Sequence, residues 1–254
     1  MKVIIMGALA MMAAAHSSHA QPAAQPDTKG AKDYAACLAL TESDPDKALD
    51  RARKLWQGGA GAASRHCVAL ALIAQGRHFE AAKTLEQLAK QGGGTVIKLK
   101  GEILAQAGQA WLMAGEGKRA IAAFTGAIAL KPGDIELLID RAIAYGHEAR
   151  YGEAVDDLNR VLDKEQGRAS AYLLRANAYR RLGRLGLAAR DVGHALTLKP
   201  NYGEALLERG IIRHLQNDTD AARRDWTRVL RATPTSPAAA AAERNLQMLA
   251  PQGK

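Results

Sequence analysis

From residue 101 onward the chain repeats itself every 34 residues, and this period constrains its fold more than any other property. Units begin at 101, 135, 169 and 203. The eighth position of each unit is Gly108, Ala142, Ala176 or Gly210, and the twentieth is Ala120, Ala154, Ala188 or Ala222. The thirty-second holds Pro132, Pro200 and Pro234, with Gln166 the single departure. Only Gly or Ala lets two helices meet closely at a crossing, and Trp111, Phe124, Tyr145, Tyr179 and Trp226 are large enough to fill the surrounding space. Composition agrees. At 48% hydrophobic and 4% aromatic, the chain suits packed Ala- and Leu-rich helices better than a β-sandwich.

The clearest copy is Ala169–Tyr202. There Ala176, Tyr179, Gly183, Ala188, Ala195 and Pro200 fall where a tetratricopeptide (TPR) repeat puts its small, aromatic and turn residues. The chain resembles the TPR family over residues 62–236, and more weakly from residue 31. The resemblance implies an all-α solenoid of helix-turn-helix units wound into a right-handed superhelix, which works by binding. Units 101–134, 135–168, 169–202 and 203–236 are full repeats, and 62–91 is TPR-like, with Ala69, Gly76, Ala81, Leu85 and Leu88 in register. Residues 31–60 read as a degenerate helical pair whose second helix starts at Asp44-Pro45, an N-cap followed by proline at the first helical position.

Between the units starting at 62 and 101 lie five residues more than one period. The segment 92–100, opened by Gly92-Gly93-Gly94, is therefore an insertion and helix start. It reads either as a hinge or as a plain C-cap and turn. Ser236-Pro237 opens a last helix over 237–250, expected to cap the stack with one polar face.

The N-terminus has the form of a secretory leader: Lys2, the apolar run Val3–Ala15, and Ser18-His19-Ala20 as a cleavage site. That run is too short to span a bilayer. Residues 1–20 are thus expected to be removed after Ala20, leaving 21–30 as a linker and an exported, most simply periplasmic, protein with no transmembrane segment. Loss of Lys2 lowers the formal charge from +9 to +8. The charges read as scattered rather than gathered on one face, so nucleic acid is not expected as a partner.

No catalytic constellation is present. HExxH, CxxC, GxSxG, P-loop and GxGxxG motifs are all missing from the sequence, and His66, His78, His147, His194 and His214 form no pair at metal-binding spacing. No enzyme activity, metal or cofactor is expected. Cys37 and Cys67 are the only cysteines. In an exported chain such a pair points to a disulfide, the alternative being two buried thiols acting as small hydrophobes.

Arg141, Arg175 and Arg209 occupy position 7 of the last three units, and Asp157, Asp191 and Asp225 occupy position 23. The unit at 101 has Ala107 and Ala123 there, and the unit at 62 has Val68 and Thr84. Arginine and aspartate are present or absent together, which suggests interhelical ion pairs. Three arginines lining an anion site is the other reading; buried charges are usually paired.

TPR proteins typically bind on a concave face lined by first-helix positions 2, 5, 9, 12 and 13. In register, these give an acidic edge (Glu102, Glu136, Ser170, Glu204) and an apolar middle (Ile139, Ile143, Leu173, Leu207, Ile211) with Asn177 as its polar centre. The opposite edge is basic, with His147, Arg180, Arg181 and His214. Acids at helix N-termini and bases at C-termini also offset the helix dipole. The apolar middle suits a peptide or partner protein, with Asn177 free to bond its backbone. The rival reading is an anionic envelope glycan or lipid held by the basic surface. Of the family's clamp for a C-terminal carboxylate, only Asn177 matches.

Overall fold

The computed structural model describes residues 28–59, 61–91 and 95–249. The leader, most of the linker, Gly92–Gly94 and the tail from 250 lie outside them. Among the described residues there are thirteen helices and no strand, and no helix is long and apolar enough to cross a membrane. They run α1 Thr28–Ser43, α2 Pro45–Gln57, α3 Gly61–Ala74, α4 His78–Lys90, α5 Thr95–Met113, α6 Gly117–Leu130 and α7 Ile135–His147. There follow α8 Tyr151–Lys164, α9 Ala169–Arg181, α10 Leu185–Leu198, α11 Gly203–Leu215, α12 Thr219–Ala232 and α13 Pro237–Met248. Consecutive helices pack as antiparallel hairpins in an unbroken all-α solenoid. Helix α1 begins at Thr28, so the linker's last three residues are helical.

One turn geometry joins the two helices of each full repeat. Position 15 takes a left-handed backbone at Gly115, Ala149, Gly183 and Asn217, with φ between 57° and 78°. The next N–H then bonds the carbonyl five residues back, as in Arg184 N to Tyr179 O at 2.8 Å and Glu116 N to Trp111 O at 2.9 Å. This closes the first helix with a Schellman motif and satisfies its last carbonyls. Ala149 holds that backbone without the freedom of glycine.

The hairpins are matched in volume at the helix crossing. Position 8 faces position 24, and the pairs are Gly108/Phe124, Ala142/Leu158, Ala176/Val192 and Gly210/Trp226, so the smallest residue meets the largest ring. A Cβ on Gly108 would lie 2.6 Å from the Phe124 ring, and one on Gly210 would collide with the Trp226 indole. All four position-24 side chains are buried. Glycine is therefore required at two crossings and alanine suffices at the other two.

The five extra residues before the array lengthen α5, which runs 19 residues where α7, α9 and α11 run 13. At the other end, α13 starts 34 residues after α11 and packs on α11 and α12, so it is the first helix of a further repeat without its partner. Ser236 caps it, its Oγ accepting from Ala239 N at 3.1 Å. Its position 8, small in every full repeat, is the exposed Arg244. A guanidinium there gives this face of α13 a charged surface, as a terminal element of a stacked array requires.

Candidate functional site

The first helices meet one another in succession, α5 with α7, α7 with α9, α9 with α11 and α11 with α13. The stack converges on that side, so the first helices line its concave face. Leu173, Leu207, Ile143 and Ile211 are half-buried along this face, while His147, Arg181 and His214 are exposed. Ile139 departs from the expectation: at 8% exposure it belongs to the apolar core cluster rather than to the open face.

The polar centre and the basic edge also differ from their sequence reading. Glu208 of α11, only 5% exposed, accepts from Arg180 Nε at 2.5 Å and from Asn177 Nδ2 at 3.5 Å. Asn177 Nδ2 and Arg180 Nε are therefore engaged within the protein. A buried carboxylate needs such partners, since leaving it unpaired costs several kcal/mol (on the order of 3–5). Arg181 bends back to donate to the Tyr151 hydroxyl at 2.9 Å. The acidic edge is likewise braced, Glu102 by Lys131 at 2.9 Å and Glu136 by Arg168 at 2.7 Å.

The Asn177–Glu208 contact belongs to a ladder between repeats that the sequence reading missed. Position 9 of one unit meets position 6 of the next: Gln109 Nε2 donates to Asp140 Oδ2 at 3.2 Å, as Asn177 does to Glu208. Between those rungs the same positions hold Ile143 and Leu174, so polar faces polar and apolar faces apolar. Burial pushes the Asp140 carboxyl above its ordinary range, with the Gln109 hydrogen bond opposing and Glu136 and Asp134 adding to the rise. The available signal was a lone Asp140 or Glu208 at a position that is Leu174 in the clearest repeat.

A different polar link joins first helices in the N-terminal region, a chain of three side chains. Tyr34 Oη lies 2.6 Å from His66 Nδ1, and His66 Nε2 lies 2.7 Å from Gln106 Oε1. Since the Gln106 carbonyl can only accept, Nε2 carries the proton and the tyrosine donates to Nδ1. Burial pushes the His66 imidazole below its ordinary pKa, with the Gln106 hydrogen bond opposing. One turn on, Cys37 and Cys67 form a disulfide, with Cα atoms 6.3 Å apart, tying α1 to α3.

On the side away from the groove, Arg141, Arg175 and Arg209 brace the hairpins. Arg175 donates Nε and Nη2 to Asp191 at 2.7 and 2.8 Å, and Nη1 to Asn159 of the preceding α8 at 2.7 Å. Arg141 does the same with Asp157 and with Thr125 of α6. At Arg209 the residue equivalent to Asn159 is Gly193, and Asp225 instead takes a second arginine, Arg213, at 2.7 Å. The hydrogen bonds to Asp157 and Asp191 raise the pKa of Arg141 and Arg175, so both guanidinium groups stay charged. Among the described residues no three His, Cys, Asp or Glu side chains come together as a metal site.

Comparison with known proteins agrees with this architecture. A model described as tetratricopeptide repeat matches residues 69–135 and 139–203. Serine/threonine-protein phosphatase 5 of Mus musculus is 28% identical over 136 residues, which are 54% of this chain and 27% of that protein. RNA polymerase II-associated protein 3 of Homo sapiens is 28% identical over 100 residues, 39% of this chain and 15% of that protein. The chain thus spans less than a third of the length of either relative. Among solved structures, MamA 41-end from Desulfovibrio magneticus RS-1 is similar with a TM-score of 0.61 at 21% identity, covering 69% of this chain and 97% of that one. That likeness is one of fold. With the family model matched along most of the array, the chain belongs to the tetratricopeptide repeat family.

Proposed function

We propose that this protein is an exported, non-catalytic interaction module of the bacterial cell envelope, binding a peptide or partner protein along its concave face. The family mediates protein–protein interaction and is generally non-catalytic. The observation that carries the reading is the state of the groove. Three residues of its charged edges, Glu102, Glu136 and Arg180, are paired within the protein, while Ile143, Leu173, Leu207 and Ile211 remain half-exposed between the edges. Apolar surface offers about 25 cal/mol per Å² when covered, so this strip is where a partner gains most. Export rests on the leader-like residues 1–20.

Selection from a displayed library of short peptides tests the binding mode. Enriched peptides should carry spaced apolar side chains, bind in 0.5 M salt on roughly Debye-screening grounds, and lose binding in Leu207→Asp. Binding that disappears in moderate salt would instead favour an anionic glycan or lipid on the basic surface. Sequencing the N-terminus of protein recovered from the periplasm tests export: the expected first residue is Gln21.

A further inference from the structure

The basic residues are not evenly spread over the repeats. Unit 169–202 holds Arg175, Arg180, Arg181, Arg184, Arg190 and Lys199 against Asp191 alone, whereas unit 135–168 holds eight acids against five bases. Both Arg175 and Arg180 are neutralised, by Asp191 and Glu208. Arg190 is exposed and forms no ion pair or hydrogen bond among the described residues.

Arg190 borders a recess of about 310 Å³ between α9 and α10, on the side away from the groove. Its walls are Tyr172, Tyr179 and Leu187, its floor is the Arg175–Asp191 pair, and His194 closes one end, stacked on Tyr172 with ring centroids 5.3 Å apart. The hydroxyls of Tyr172 and Tyr179 and the His194 ring nitrogens have no hydrogen-bond partner among the described residues. Two tyrosines, a histidine and one unpaired guanidinium thus border a single space. A desolvated carboxylate or phosphate oxygen finds charge-assisted hydrogen bonds there.

The neighbouring repeat selects among anions. Position 22, Arg190 in α10, is the exposed Asp156 in α8, which likewise pairs with nothing among the described residues. The same position of successive second helices therefore displays opposite charges on the side away from the groove. A flat anionic surface or a polyanion would meet repulsion at Asp156 as it gained Arg190. A peptide with mixed charge would not.

We infer that the convex recess of α9 and α10 is a second binding site, taking an acidic side chain of a protein partner whose neighbouring residues present a Lys or Arg to Asp156. The site is separate from the concave strip. It requires neither Leu207 nor Ile211.

Fluorescence anisotropy on the full mature chain tests this with a labelled peptide bearing Glu-Asp, three neutral residues and Lys-Lys. Arg190→Glu should weaken binding at least about tenfold, one decade being the loss of a charge-assisted pair. The milder Arg190→Gln should weaken it less, and Asp156→Lys should weaken it severalfold. Leu207→Asp should leave the affinity unchanged, and circular dichroism should show every variant folded. Equal affinity for wild type and both Arg190 variants overturns the proposal. So does loss of binding in Leu207→Asp alone, which would return the peptide to the concave face. Inorganic phosphate or vesicles of anionic phospholipid binding in an Arg190-dependent manner, with the peptide inert, overturns the assignment to a protein partner.

Discussion

In the hairpins from α7 to α12 each crossing is braced by an arginine that holds an aspartate of its own repeat, and in two of the three it also reaches the second helix of the repeat before. In the region from α1 to α4 the equivalent residues are Val68 and Thr84, and the brace is covalent, between Cys37 and Cys67. Both regions build the same helical hairpins, yet they are held by different chemistry. A stacked array distributes its stability over nearest-neighbour contacts, so a repeated ion pair suits the interior. A terminal pair has one neighbour only, and there a crosslink that restricts the unfolded chain does more. The comparison teaches that the groove rests on the ionically braced half, while the stapled half closes its end.

The sharpest way to break this contrast is Arg175→Ala. It leaves Asp191 buried without its cation and should cost about 3–5 kcal/mol, read by urea denaturation, while Arg175→Ala with Asp191→Ala should cost distinctly less. Additive losses would show that the two residues do not act as a pair. Next comes the staple. Cys37→Ser with Cys67→Ser should remove about 3–4 kcal/mol from the N-terminal region, the loop-entropy estimate for a closure of this size. Hydrogen exchange should quicken in α1–α3 and stay unchanged from α7 to α12. Uniform loss of protection along the whole chain would contradict the division into two regions.

Two glycines inside helices sharpen the comparison within the array. Gly210→Ala drives a methyl into the Trp226 indole and should destabilise by about 1–3 kcal/mol. Gly193→Ala enters open space in α10 and should stabilise by about 0.5–1 kcal/mol. The smallest effect concerns pH. Burial depresses the His66 pKa, so the unfolded chain binds the proton more readily and the stability tied to the neutral imidazole is lost as pH falls through its ordinary range near about 6.5. Acidification should therefore loosen α1–α3 before the array, and His66→Gln should flatten that dependence in exchange measurements.

Much of this was legible in the sequence because stacking repeats impose fixed spacings. Helix type, the unit boundaries from 101 onward and the joint occurrence of Arg175 with Asp191 all follow from one period. The groove was legible by register alone, and register does not say which polar groups are already taken. Asn177 and Arg180 looked available because their partner, Glu208, lies 31 and 28 residues downstream in another repeat. Ile139 looked open for a similar reason: burial depends on neighbours that a single unit does not display. The extension of α5 was hidden because an insertion next to three glycines reads equally as loop or helix. The crossing pairs Gly108/Phe124 and Gly210/Trp226 were in plain view, visible only when positions 8 and 24 are compared together.

Photocrosslinking in intact cells tests the central claim, that partners dock on the concave strip of the braced array, most directly. A photoreactive residue at Leu207, half-buried on that face, and one at Leu198, exposed on the second helix α10, serve as the two probes. The account predicts a discrete crosslinked protein from position 207, abolished by Ile211→Asp, and none of that species from position 198. Capture of the same protein from 198 and not from 207 would contradict it.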